Sequence, residues 1–372
     1  MKLIAQVKLL PTKEQHGALV DTLTTTNEAC NYISQYAWDT RTFRQYDIHK
    51  AIYYEIRERF SLSAQMTVRA IAKVADAYKK DRQTKRTFKT VGGVAYDDRI
   101  LSYNLDKSTA SIWTTQGRLT IPFTCGPLQK ALLNSQRGES DLILFKGDFY
   151  LLAVCDVDEP TPKDVEGVLG VDLGIVNIAT TSDGDTFAGN QINNVRYRHR
   201  RLRKKLQAKQ TKSAKRRLKK LSGKEARFAK DANHVISKSI VAKAKGTNRA
   251  VAVEQLTGIR SRVRLRKSRR ATLHSWSFFQ LKDFIAYKAK LAGVPLIEVD
   301  PRNTSRTCPA CGCVDKRNRP NQSTFSCIVC GFAGLADYIA SVNIGRRAQV
   351  NAPNVSTLVA IGSSNLSMAT VG

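Results

Sequence analysis

The sequence predicts a multidomain protein in which an α/β domain follows a helical segment and a small β-barrel. Three observations carry that expectation. From about residue 90 to 160 the apolar residues recur with period two. From 167 to 350 short apolar strands alternate with amphipathic helices. An acidic, proline-containing stretch, 156–166, separates the two and reads as a linker.

The first element is a short strand over 3–9, followed by Thr12-Lys-Glu-Gln15, a capping box that opens a helix. Helical spacing continues to about residue 80, most clearly over 47–60 and 62–79 with Ser61 and Ser63 between them. Tyr32, Tyr36, Trp38, Tyr46, Tyr53 and Tyr54 are interleaved there; most are expected in the helical core rather than free to stack on bases. Arg99–Asn104, Ser108–Thr114, Arg118–Thr124 and Asp141–Val157 read as strands, with turns at Gln116-Gly117 and Lys146-Gly147-Asp148. Beyond the linker, Val168–Val171, Val176–Thr181, Ala250–Glu254 and Pro295–Val299 read as strands, and Asp183-Gly-Asp185 as a hairpin turn. Ser275–Ala292 is an amphipathic helix, and an apolar-periodic helix starts at Ala336. The tail from Gln349, rich in Ser, Asn, Val and Ala, is expected to be disordered.

The charge restricts the class of partner. Sixty-one Lys and Arg face 31 Asp and Glu, a net +30, with an ordinary hydrophobic content of 42%. So large an excess repels itself unless a polyanion neutralises it, and nucleic acid is the first candidate. No apolar run approaches a membrane span and the N-terminus lacks a signal-peptide pattern, so no membrane partner is expected. The reading is a cytoplasmic protein, of the bacterial cytosol or nucleoid.

Of eight cysteines, Cys30, Cys125 and Cys155 are scattered and read as ordinary thiols. Cys308-Pro-Ala-Cys311-Gly and Cys327-Ile-Val-Cys330-Gly form two matching knuckles. Each brings two thiolates to one ion, and the glycine after each pair allows the sharp turn that aims N–H groups at sulfur. Four thiolates close a tetrahedral Zn²⁺ shell, so one structural zinc is expected, with Cys313 outside it and a short hairpin between the knuckles.

Two apolar strands end in an acid: Val168-Leu-Gly-Val-Asp172-Leu-Gly174, in which Gly174 leaves room beside the acid, and Ala250-Val-Ala-Val-Glu254. A third acid, Asp337, opens the helix at Ala336, and Asp300 also closes an apolar strand. Spacing does not choose between Asp300 and Asp337. Three carboxylates from two strand ends and a helix converge in an RNase H-like site. Two Mg²⁺ ions would balance their repulsion and activate water for phosphodiester hydrolysis.

Several of these segments occur in a telling order. They are Gly170-Val-Asp172-Leu-Gly174, Val253-Glu254-Gln-Leu256, Ser275-Trp-Ser-Phe278 with Gln280, the run from Val299 through Thr304-Ser-Arg-Thr-Cys308 to Cys311-Gly, and Leu335-Ala-Asp337. The series resembles TnpB, the OrfB-type family of bacterial insertion sequences and relative of type V CRISPR effectors. It covers about 165–348; before that only the layout agrees. The resemblance implies a RuvC-like nuclease domain with an inserted zinc ribbon and an N-terminal wedge β-barrel interrupted by a helical recognition region. Asp172, Glu254 and Asp337 are then the catalytic metal-binding triad, which decides against Asp300. Residue 339, often Asn in the family, is Ile here.

The implied layout places the first wedge strand in 1–10, recognition helices in 11–90 and the barrel in 91–160. The nuclease domain occupies 165–305 and 334–350, the ribbon 306–333, and a tail 351–372. The family binds a guide RNA encoded by its element, one protein per RNA, and cuts double-stranded target DNA beside a short adjacent motif. The alternative is an RNA-guided repressor that binds DNA without cutting. A transposase that joins strands itself is the third reading, and no tyrosine or serine recombinase motif supports it.

Two basic runs fit such partners. Arg196–Lys220 holds fourteen Lys and Arg and no acid, with a thin apolar seam of Leu202, Leu206, Leu218 and Leu221. Arg196, Arg198, Arg200, Arg201, Arg203, Lys204, Lys205, Arg216 and Arg217 are its candidate nucleic-acid contacts, joined by Arg260, Arg262, Arg264 and Arg266 of the second run. Single-sign runs of this length favour phosphate contacts over a merely solvated face.

Overall fold

The computed structural model describes residues 1–162, 164–255 and 278–351. The chain divides into two compact units, Met1–Asp158 and one that begins at Glu159. Among the described residues, no helix is long and apolar enough to cross a membrane.

The first unit opens with strand β1 (Lys2–Leu9) and three helices, α1 (Lys13–Asp39), α2 (Gln45–Phe60) and α3 (Ala64–Lys80). The capping box at Thr12 forms in full: its side chain accepts from the Gln15 N–H, and the Gln15 side chain accepts from the Thr12 N–H. Strands β2 (Val94–Tyr96), β3 (Leu101–Asn104), β4 (Thr109–Thr114) and β5 (Gly117–Thr124) follow. After helix α4 (Pro127–Leu133) come β6 (Gln136–Phe145) and β7 (Asp148–Asp156). They form one seven-stranded antiparallel sheet in the order β2-β6-β7-β1-β5-β4-β3.

The first strand thus lies at the centre, and the helices are inserted between it and the rest of the sheet. The sheet curls nearly into a barrel: the Tyr103 hydroxyl of β3 reaches Ser140 Oγ of β6 at 3.1 Å, although no ladder pairs edge strands β2 and β3. Sheet and helices share one core. Tyr32, Tyr36, Trp38 and Tyr53 pack against it, while Tyr46 and Tyr54 are exposed. The short β2 and α4 lacked a periodic signal.

The second unit holds a five-stranded sheet ordered β10-β9-β8-β11-β12. Its members are β8 (Gly167–Asp172), β9 (Asn177–Thr181), β10 (Thr186–Ala188), β11 (Arg249–Glu254) and β12 (Leu296–Val299). Strands β8, β11 and β12 run parallel; β9 and β10 are antiparallel. Helices α5 (Asn190–Lys209) and α6 (Lys212–Gly246) join β10 to β11. Helix α7 (Phe278–Ala292) precedes β12, and α8 (Ala336–Asn351) ends the described chain. Gln349 to Asn351 therefore belong to a helix, not to a disordered tail; the remainder of the expected tail lies outside the described residues.

Period two assigns the faces of this sheet. Leu169, Val171, Val251 and Val253 pack on α6 and α7, whereas Val168, Ala250 and Ala252 pack on α8. By the same alternation Asp172 and Glu254, at the ends of β8 and β11, lie on the α8 side. That face carries small residues because α8 lies very close. A Cβ on Gly170 would sit 2.0 Å from the Ser341 carbonyl oxygen and 2.6 Å from the Gly345 nitrogen.

The basic run is not one helix. Gln210, with φ 51°, breaks it, and Thr211 caps α6 by accepting from the Ala214 N–H. Leu206, Ala214 and Leu221, flanked by Leu202 and Leu218, zip the hairpin. The apolar seam thus holds α5 to α6.

The contact between α8 and β8 should be intolerant of bulk. Gly170→Ala drives a methyl into helix backbone and should destabilise by about 3 kcal/mol or more, at the upper end of overpacking costs. Gly345→Ala, whose Cβ would meet nothing nearer than 3.3 Å, should cost clearly less. Chemical denaturation of both variants measures the difference.

Candidate metal centres

Residues 306–335 build the sulfur site. Its four Sγ atoms all lie within 4.8 Å of one another. Cys308 and Cys330 are 3.6 Å apart, Cys311 and Cys327 3.5 Å. Each knuckle closes with a backbone bond, from Gly312 N–H to Cys308 and from Gly331 N–H to Cys327, and both glycines take positive φ. N–H groups of Cys330 and Val329 pull the Cys327 thiol down to about 6, while Cys308 is raised by burial and Cys311, against the pull of the Cys313 N–H, is pushed up to about 12 by burial and its sulfur neighbours, so the four crowded thiols do not ionise together unless a cation balances them. Four convergent thiols with aimed N–H groups fit one Zn²⁺. Cys313 packs beside the cluster and is absent from the ligand set.

No hairpin lies between the knuckles. That stretch carries a 3-10 turn, Lys316–Asn318, and the hairpin of β13 (Thr324–Ser326) with β14 (Ala333–Leu335) brackets the second knuckle. The cause is local: the Asp315 side chain caps the turn, and the Asn318 amide is drawn inward.

The acidic centre lies at the ends of β8 and β11 beside the first turn of α8. Asp172, Glu254 and Asp337 are all half-buried. Asp172 is pushed up to about 8, first by burial and then by the charges of Glu254 and Asp337. Glu254 is also raised by burial, against the pull of Thr304, Arg347 and Arg319. The structure therefore brings Glu254 and Asp337 within electrostatic reach of Asp172.

They are more widely spread than the thiols: among the described residues only the cysteine set gathers three ligand atoms within 4.8 Å. A pair of ions, roughly 3.5–4 Å apart in two-metal sites, takes a wider ligand spread than a single ion. Repelling carboxylates, one of them held protonated, fit divalent cations on the chemistry of the donor set. Asp300 is more exposed: its side chain is 58% accessible and accepts from its own neighbour's backbone, Arg302 N–H.

Four side chains to which the sequence assigned no role complete this centre, although Thr304 stands in the run before Cys308 that carries the resemblance. Asn177 Nδ2 donates to Asp337 Oδ2 at 3.0 Å. It supplies an amide beside the third acid, while Ile339 is buried with the ribbon core instead. Gly174 serves the same turn: a Cβ there would meet the Asn177 carbonyl at 2.6 Å, so the room it leaves is for backbone. Arg319, from the ribbon, lies 3.7 Å from Asp337 Oδ1. Thr304 Oγ1 donates to Glu254 Oε1 at 2.5 Å. Asn343, buried on α8, donates to the Thr304 and Thr307 carbonyls, each at 2.8 Å. These partners are remote in sequence, so no local pattern announces them.

The first basic run presents Arg198, Arg200, Arg201, Lys204, Lys205, Arg216 and Arg217 to solvent. Arg196 and Arg203 are half-buried, and Arg203 pairs with Glu225 of α6, a clamp within the hairpin. Gln280 likewise has a packing role, accepting from Asn233 Nδ2 at 3.0 Å between α6 and α7. Arg260, Arg262, Arg264 and Arg266 lie outside the described residues.

Known proteins resemble this chain in sequence and in fold. The model of the Cas12f1-like TNB domain matches residues 278–344, and the OrfB_IS605 model, described as a probable transposase, matches 152–258. A TnpB-like protein of Methanocaldococcus jannaschii is 31% identical over 201 residues, 50% of this chain and 71% of that protein. The CRISPR-associated endodeoxyribonuclease Cas12f1 of Sulfoacidibacillus thermotolerans is 32% identical over 236 residues. That match takes in 58% of this chain but 52% of the relative, so the chain spans about half its length. The solved Cas12f1–sgRNA–target DNA complex contains a chain of the same fold, with TM-score 0.56 and 16% identity over 87% of this chain and 82% of that one.

Two outcomes follow for the metals. Purified protein should carry one zinc, lost in Cys327→Ser and kept in Cys313→Ser, as elemental analysis will show. Asp172 has its folded pKa raised above the unfolded value, so its contribution to stability is complete below about pH 4 and is lost as pH rises toward 8. Cation binding displaces that proton. The rise in melting temperature on adding Mn²⁺ should therefore grow between about pH 5.5 and 8.5 and be largely absent in Asp172→Asn.

Proposed function

Because the chain belongs to the TnpB family, related to the type V CRISPR effectors, we propose that it is an RNA-guided DNA endonuclease. The observation that carries the reading is the convergence of Asp172, Glu254 and Asp337 on one end of a sheet, with Asp172 raised first by burial and then by the other two. The strand order β10-β9-β8-β11-β12, with three parallel strands and α8 across one face, supports an RNase H-like domain of RuvC type. The curled sheet of the first unit supports a wedge barrel carrying recognition helices.

Asp172, Glu254 and Asp337 are the residues that would hold divalent cations. Two Mg²⁺ ions, when bound, supply an activated water and charge stabilisation for an in-line phosphodiester displacement. The protein's own work is placement. Asp172 gives up its proton when the centre is loaded, and with Glu254 it positions the attacking water. Asp337, steadied by Asn177, completes the ligand set. Arg319 offers a guanidinium beside the acids, suited to a non-bridging phosphate oxygen. Among the described residues no side chain is placed beside the acids as a covalent nucleophile, and the proposed hydrolysis uses no enzyme-bound intermediate.

The exposed face of α5 and the start of α6 carries phosphate contacts to an element-encoded guide RNA or to its duplex with target DNA. These contacts fix shape and position, while pairing reads the sequence. A short motif beside the target is read elsewhere on the chain, and one protein serves each RNA.

The test is cleavage by the purified ribonucleoprotein of a plasmid library carrying a guide-matched target beside randomised flanks. Cutting should require Mg²⁺. Asp172→Ala should lose cutting by three orders of magnitude or more while keeping guide and target binding, and Arg319→Ala should lose about 10²-fold or more, the scale of one transition-state donor. A wild-type complex that binds its target and leaves both strands intact under Mg²⁺ would identify an RNA-guided repressor instead.

A further inference from the structure

The sulfur site and the acidic centre are physically joined. Thr304, 2% exposed, sits on the segment that leads from β12 into the first knuckle. Its hydroxyl lies 2.5 Å from Glu254 Oε1 and 3.1 Å from the Pro301 carbonyl. A hydroxyl has one proton, and the shorter contact to a carboxylate takes it. Four residues later comes Cys308, and between them Thr307 pairs with Val314 in a β-bridge inside the ribbon. Asn343 grips this segment from α8 through the Thr304 and Thr307 carbonyls.

A second path starts at Asn318, which is fully buried. Its Nδ2 donates to the Arg306 and Cys313 carbonyls at 2.9 and 3.1 Å, and its Oδ1 accepts from Ile328 N–H, between the two cysteines of the second knuckle, at 3.0 Å. Arg319, the next residue, reaches Asp337. Both knuckles are therefore tied to side chains that touch the acids, one path ending on Glu254 and the other on Asp337.

We propose that the zinc ribbon sets the geometry of the acidic centre, with Thr304 as the positioning residue for Glu254, so that zinc retention and divalent-cation binding are coupled. This rests on the reading that Asp172, Glu254 and Asp337 hold a divalent cation. The physical basis is that a carboxylate held in one rotamer binds without first being ordered, and loss of such an outer partner typically weakens metal affinity about 10–100-fold. Coupling of two binding equilibria is reciprocal: whatever zinc does for the cation, the cation does for zinc.

The experiment uses the full-length protein with Mn²⁺ as probe, read by the free-ion electron paramagnetic resonance signal. Asp172→Asn identifies which bound Mn²⁺ belongs to the acids. Thr304→Val should keep one zinc per chain and lose about 10–100-fold in Mn²⁺ affinity at that site, whereas Thr304→Ser, which keeps the hydroxyl, should bind like wild type. Zinc release to a chelator should be slowed by Mn²⁺ in wild type and Thr304→Ser, but much less in Thr304→Val. Equal Mn²⁺ affinity in Thr304→Val and wild type, or zinc release indifferent to Mn²⁺, overturns the coupling while leaving the acidic centre standing. A wild type with no Mn²⁺ site sensitive to Asp172→Asn overturns the acidic-centre reading itself, and the coupling with it.

Discussion

The second unit turns on a backbone contact between a strand and a helix. Helix α8 lies so close to β8 that its own carbonyl and amide groups fill the volume where residue 170 would carry a side chain. Only glycine permits that approach, and Gly345 answers it from the helix. The consequence is electrostatic. With α8 pressed onto the sheet, its first turn brings Asp337 to the strand ends where Asp172 and Glu254 already sit. A looser helix would relieve the repulsion and dissolve the centre. Packing at Gly170 thus holds together charges that would otherwise separate.

Much of this was legible because it follows from periods and short spacings. Two apolar runs that end in an acid put Asp172 and Glu254 at strand ends by pattern alone, and the pairing of Val171 with Val253 then sets both on one face. Two Cys-x-x-Cys-Gly knuckles define a tetrahedral sulfur site by local geometry. The capping box at Thr12 and the hairpin turn at Lys146-Gly147 are equally local. Other features are set by distance in space. Gln210 breaks the basic run with a left-handed residue that is neither Gly nor Asn, a choice imposed by the packing of α5 on α6. Asn177, Arg319 and Asn343 look like ordinary loop or helix polars, and Thr304 stands in a recognisable run that does not say what it touches; each acquires its role only through a partner 18 to 160 positions away.

The Ile339 position shows how a family pattern and a structure differ as sources. The resemblance expects Asn there, and its loss casts doubt on how Asp337 is oriented. In this chain residue 339 is part of the ribbon core, and an amide for Asp337 arrives from Asn177 on the other side. A carboxylate needs a donor of suitable reach, not a donor from a fixed position.

Charge balance explains why such a centre is tolerated without cations. Three carboxylates, half-buried and close, would repel strongly if all were ionised. Two devices reduce the charge. Asp172 holds a proton up to about pH 8, and Arg319 sits beside the cluster, lowering both Asp172 and Glu254, the latter with help from Arg347. With that proton and that guanidinium in place, the three acids repel one another far less than three bare carboxylates would. On the function proposed above, a divalent cation held by these acids would displace a proton and share them with a guanidinium, so its binding would be a replacement rather than a simple filling of negative space. The hydrogen bonds of Asn318 and Thr304 hold the ribbon segment that carries Arg319 and the carboxylate of Glu254, and so keep both from drifting.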